Sequence, residues 1–141
     1  MSKKTSGFAV LEILLAASLL SLMVTAIVGA LSYGVQSAAV AGARARAVFL
    51  AEEGLEAVRN IRDAGFAALP NGTFGLVFAG LNQWSLSPGA DVTDGVFTRQ
   101  VIISGNGANR KQVISTISWQ ETASRQGTVT LTTGLSNWKP F

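Results

Sequence analysis

The chain has 141 residues, enough for one modest domain with an extension and too few for two full domains. Only 13% of residues are charged beside an ordinary apolar share of 48%, and the net charge of +3 supplies no basic stripe to neutralise nucleic-acid phosphates. With no cysteine and no histidine, disulfides, thiolate or imidazole metal sites and Cys- or His-based catalysis are excluded.

Residues 1–7 are short, polar and basic, with Lys3 and Lys4 among them. From Phe8 to Leu31 the chain is apolar for about 24 residues, and about 20 suffice for a helix to cross the hydrocarbon core. The lysines ahead of it favour a cytoplasmic N-terminus and a C-terminal domain on the far side. An ordinary secretory signal fits poorly, because its apolar core is shorter, about 7–15 residues, and ends in a small-residue cleavage site. The run carries one charge, Glu12. A carboxylate in the bilayer interior costs on the order of 2.5–3.5 kcal/mol on insertion scales, so this position is read as functional. It stands four residues after Phe8, one turn on along the same helix face.

The helical pattern continues past the apolar run. Val40, Ala47, Val48, Ala51, Leu55, Val58 and Ile61 recur at steps of three and four, with Glu52, Glu53, Glu56, Arg59 and Arg62 largely between them. Asp63-Ala64-Gly65 and Pro70-Asn71-Gly72 supply stop signals, so one helix is expected from Phe8 to about Ala68. Gly29, Gly34, Gly42 and Gly54 interrupt it. They fit either close helix packing or a soft region just beyond the bilayer, with Gly29 and Gly34 the candidates for softness.

Residues 71–95, rich in Gly, Asn, Ser and Asp, read as a loop region holding one or two short strands. After Asp94-Gly95 the period becomes two, and Val96–Ser104, Gln112–Gln120 and Gly127–Thr133 read as strands. Val113, Ser115, Ile117 and Trp119 share one face, as do Val129 and Leu131. Short links favour an antiparallel β-meander, and its apolar face should pack on the second half of the helix, since three exposed strands alone are marginal. The expected class is α+β.

The sequence around the first charge carries a family likeness. Gly7-Phe8-Ala9-Val10-Leu11-Glu12, behind Lys3-Lys4-Thr5-Ser6, resembles the type IV prepilin motif: a short basic leader ending in glycine, then phenylalanine, then glutamate as the fifth mature residue. The resemblance implies cleavage between Gly7 and Phe8 by a prepilin peptidase/methyltransferase, N-methylation of Phe8, and use of Glu12 as the assembly carboxylate. It divides the chain into a leader (1–7), a transmembrane and filament-core helix (8–31), an amphipathic continuation (32–69) and a loop and sheet region (70–141). Implied partners are other pilin subunits, an inner-membrane assembly platform and membrane lipid before assembly; no cofactor is implied. The likeness is specific over about residues 3–31 and looser beyond. Two departures stand out: Gly29 lies where many major pilins have proline, and the family's frequent C-terminal disulfide has no cysteines to form it. Leu50–Arg59 resembles the corresponding stretch of minor pilins of the modification and assembly type, which favours a minor pilin or pseudopilin.

Other candidates carry less. Trp84, Trp119 and Trp138 could make a ligand platform, but aromatics in a small sheet domain more often pack the core or rim. Asp91 and Asp94 fall short of the six to eight oxygens that calcium takes and show no acid–base motif, so neither metal nor catalysis is expected of them. Arg44 and Arg46 are expected at or beyond the outer membrane surface, and Arg110-Lys111 reads as a solvated turn. The alternative function is a single-pass membrane-anchored protein with an external β domain that binds a ligand or partner; an exported enzyme has little support.

Overall fold

The computed structural model describes residues 6–80 and 83–138, so Lys3, Lys4 and the rest of residues 1–5 lie outside the described part. One helix, α1, runs from Ser6 to Ala64. A single 3-10 turn follows at Phe66–Ala68, so the α-helix stops a turn earlier than its apolar pattern suggested. Gly65 N–H makes the last helical bond, to Ile61 O, and Pro70 bars any continuation. The chain falls into two compact units, up to Val40 and from Ala41 onward.

The second unit joins the end of α1 to six antiparallel strands: β1 (Gly72–Ala79), β2 (Gln83–Pro88), β3 (Asp91–Thr93), β4 (Phe97–Gly105), β5 (Arg110–Thr122) and β6 (Arg125–Ser136). The sheet order is β2-β1-β4-β5-β6, and β3 also pairs with β4. The class is therefore α+β, a long helix packed on an antiparallel sheet. The expected meander is present as β4-β5-β6, with strands longer than their apolar cores. Residues 71–95 correct the loop assignment, because they hold three strands. β1 and β2 form a hairpin, and β1 and β3 share one edge of β4, opposite Val101–Ile103 and Phe97–Arg99 respectively. The turn after β3 is built on Asp94 and Gly95, both at positive φ, with Val96 N–H returning to Thr93 O.

The core lies between α1 and the sheet in two clusters. Leu55, Val58 and Ile61 meet Leu76, Val101, Ile103, Val113 and Leu135. Ala47, Leu50 and Ala51 meet Phe97, Ile117, Trp119 and Val129. Full burial of each large side chain contributes about 1.5–3 kcal/mol. Between the clusters runs a polar seam of Gly54, Arg99 and Ser115, all buried. At Gly54 the helix lies close against the sheet: a Cβ there would stand 2.6 Å from Ser115 Oγ and 3.3 Å from Arg99 Cδ. Gly127, opposite Trp119 on β5, is another close approach, where a Cβ would collide with the indole ring.

Candidate functional site

The first unit has no interior. From Phe8, which is 77% exposed, through Leu31 every large apolar side chain is exposed, on all sides of the helix. A helix apolar all round is stable only inside lipid or against other chains, and this one is long and apolar enough to cross a membrane. Three of the hydroxyls in its apolar run are satisfied within the helix. Ser18 Oγ donates to Leu15 O at 2.8 Å, Ser21 Oγ to Ser18 O at 2.9 Å and Thr25 Oγ1 to Ser21 O at 2.8 Å. Glu12 differs. It is exposed, it is the sole Asp, Glu, Lys or Arg between Phe8 and Ala43, and it has no hydrogen-bond or ion-pair partner among the described residues. Phe8 lies one turn before it, and Gly7 is in the first turn of α1, where the helical N–H groups lack acceptors within the helix.

The glycines separate by environment. Gly29, Gly34 and Gly42 have open space where a Cβ would be, whereas Gly54 is pressed against β5. Gly54 is therefore a packing glycine. Gly29 and Gly34 lie in the exposed stretch, where the chain itself places no limit on side-chain size.

The charged groups of the second unit are mostly engaged with one another. Arg99, 3% exposed, donates to Asp91 through Nε at 3.2 Å and NH2 at 2.8 Å, and to Glu53 through NH1 at 2.9 Å. Its guanidinium also lies 5.6 Å from the Trp84 ring centroid. Burial pulls its pKa down, but hydrogen bonds to Asp91 and then Glu53 outweigh that and hold it above its ordinary value. Asp91 additionally accepts Leu76 N–H at 2.8 Å. One arginine thus ties α1, β1, β3 and β4 together. Asp94 pairs with Arg46 at 2.8 Å, both half-exposed. Asp91 and Asp94 are each committed to a different guanidinium, and no group of three metal-ligating side chains occurs among the described residues.

The three tryptophans do not form a platform. Trp119 is buried against Phe97, Trp84 packs edge-on to Phe78, and Trp138 donates to Asp63 at 3.0 Å. A groove of about 760 Å³ opens beside the end of α1, lined by Phe74, Trp84, Leu86 and Ile61 with Asn60 and Gln83 at its rim. Its one carboxylate, Asp63, already accepts from Arg62 and Trp138, so the groove offers shape without acid–base chemistry.

Arg99 is the residue that sequence patterns do not single out. Its signal is parity: it occupies the inward register of a strand whose other inward residues are Phe97, Val101 and Ile103. An arginine there requires carboxylates from elsewhere in the chain. Comparisons with family models, with curated proteins and with solved structures gave no match to this chain.

Proposed function

We propose that this chain is a structural subunit, a minor pilin or pseudopilin, of a type IV pilus or a related secretion or competence filament. The precursor is held in the cytoplasmic membrane by its N-terminal helix, with the sheet domain outside. A prepilin peptidase/methyltransferase cuts between Gly7 and Phe8 and methylates the Phe8 amine. The assembly platform then moves the subunit from lipid into a filament, where the helix packs against those of other subunits. The protein acts by assembling and catalyses no reaction.

The observation that carries this reading is Glu12: one carboxylate, unpartnered among the described residues, on the exposed apolar stretch of α1 that is otherwise uncharged from Phe8 to Gly42, and the fifth residue of the chain that begins at Phe8. Cleavage creates a cation at Phe8. In an apolar filament core, that amine on one subunit and Glu12 on the next relieve each other's desolvation and select one axial register. A hydrophobic rod without the pair would slide.

Two substitutions test it. Gly7→Leu blocks the size shift of the precursor, and an unchanged shift points instead to a retained single-pass anchor with a binding domain. Glu12→Ala is inserted and cleaved normally but is depleted from sheared filaments by about tenfold or more, the equivalent of about 1.4 kcal/mol. Normal incorporation of that variant removes the charge-pairing role.

A further inference from the structure

The sheet ends in an unguarded edge. β6 is 12 residues long and pairs with β5 on one side only, so alternate main-chain N–H and C=O groups along about 40 Å point away from the sheet. Natural edges of this length are blunted by lysine, proline or a bulge, yet Gln126–Asn137 contains no charged residue and no proline. The register irregularity lies at the turn end of the strand pair, between Gln120 and Thr122. The opposite edge strand, β2, has half the length and ends in proline.

Alongside β6, on the side of the sheet covered by α1, lies a groove. Phe49, 64% exposed, Leu55 and Leu131 give it an apolar lining, and Glu52, Glu53, Glu56 and Arg59 line its helix side. Thr132 also borders it, although alternation directs its side chain to the far face, so the strand's main chain is what reaches the groove. Glu53 is held by Arg99, and Glu56 by Arg59 at 2.8 Å. Glu52 has no partner among the described residues. With Glu53 and Glu56 each neutralised by an arginine, the groove keeps the one uncompensated charge of Glu52 beside an open row of main-chain groups.

We propose that this edge binds an extended, cationic segment of another polypeptide, which adds to the sheet as a strand beside β6. Main-chain pairing supplies the affinity. Alternate side chains of the added strand fall into the groove, where an apolar one covers Phe49 and Leu131 and a lysine or arginine reaches Glu52. Charge selects the partner, because an acidic segment in the same register would meet like charge. The inference uses only the second unit and holds whether or not the chain is a filament subunit.

The test uses the full chain in detergent micelles and a short capped peptide, Lys-Thr-Val-Thr-Lys-Thr-Val, with two controls. One control replaces both lysines by glutamate; the other is N-methylated at alternate residues to abolish one hydrogen-bonding edge. The lysine peptide should bind at least about tenfold more tightly than either control, weaken as salt is raised, and slow amide exchange within Gln126–Leu135. Glu52→Lys, at an exposed helix position, should remove the preference while leaving the circular dichroism unchanged. Equal binding of lysine and glutamate peptides, or protection outside β6, overturns the proposal. So does β6 protection that appears without peptide and grows with protein concentration, since a second copy would then own the edge.

Discussion

Gly54→Ala measures how closely α1 sits on the sheet. On an isolated helix the change favours folding by about 1 kcal/mol, because alanine loses less backbone freedom. Here the new methyl would stand 2.6 Å from Ser115 Oγ, a separation that packed carbons and oxygens do not sustain, and 3.3 Å from Arg99 Cδ. Overpacking of this kind costs about 1–3 kcal/mol, which cancels or exceeds the helical gain. Ser115→Ala removes the offending oxygen and leaves a Cβ at an ordinary 3.5 Å. The Ser115 hydroxyl is buried without a hydrogen-bond partner among the described residues, so deleting it alone should be close to neutral. The double variant should then recover the helical gain, giving a coupling of about 1–3 kcal/mol between two sites that are remote in sequence. Urea unfolding of the detergent-solubilised chain, followed by the fluorescence of buried Trp119, reads all four corners of the cycle. Gly29→Ala and Gly34→Ala, which have open space around them and lie in the first unit, should leave the second unit's transition, read at Trp119, unmoved. If Gly54→Ala stabilised by a full helical increment in both serine and alanine backgrounds, the helix would not touch β5 as described.

Arg99→Met strands Asp91 and Glu53 and should lower stability by about 3–5 kcal/mol in the same unfolding assay; a loss below about 1 kcal/mol would reduce the cluster to an ornament. Because the folded pKa of Arg99 is raised, its contribution is complete below the unfolded value and fades only as pH climbs through the folded one. The penalty for Arg99→Met should therefore be flat between about pH 6 and pH 9. Gly127→Val drives Trp119 off its seat and should cost about 3 kcal/mol or more, with a red-shifted tryptophan emission; an unshifted spectrum would contradict the ring's placement. Arg46→Ala, by contrast, breaks a solvent-screened surface pair and should leave the unfolding midpoint essentially unmoved; a clear drop would contradict that exposure.

The long helix and the β4-β5-β6 meander are legible in the sequence because each rests on local chemistry: one charge in an apolar run, and a period of two. Leu50 and Ala57, both buried, escape the helical pattern, because small and medium residues flank every register of an alanine-rich helix. The strands in 71–95 are hidden by composition. Gly72, Gly75 and Ser85 dilute their propensity; β1 is fixed by pairing with β4, some thirty residues on, and β2 by pairing with β1. Arg99 is illegible for the same reason, since Glu53 is 46 positions away and no spacing rule spans that distance. Glu12 is conspicuous in the sequence alone, as the one charge in a long apolar run. The fold adds that Ser18, Ser21 and Thr25 satisfy themselves, which leaves Glu12 the one unmet polar demand among the side chains named on that stretch.

In the proposed filament, a new chain end at Phe8 meets a neighbour's acid. Intact-mass and N-terminal analysis of protein sheared from the cell surface, run beside the membrane fraction, tests this most directly. Sheared material should begin at a methylated Phe8, and the membrane fraction should contain both precursor and processed chain. Polymer built from subunits that still begin at Met1 would contradict it.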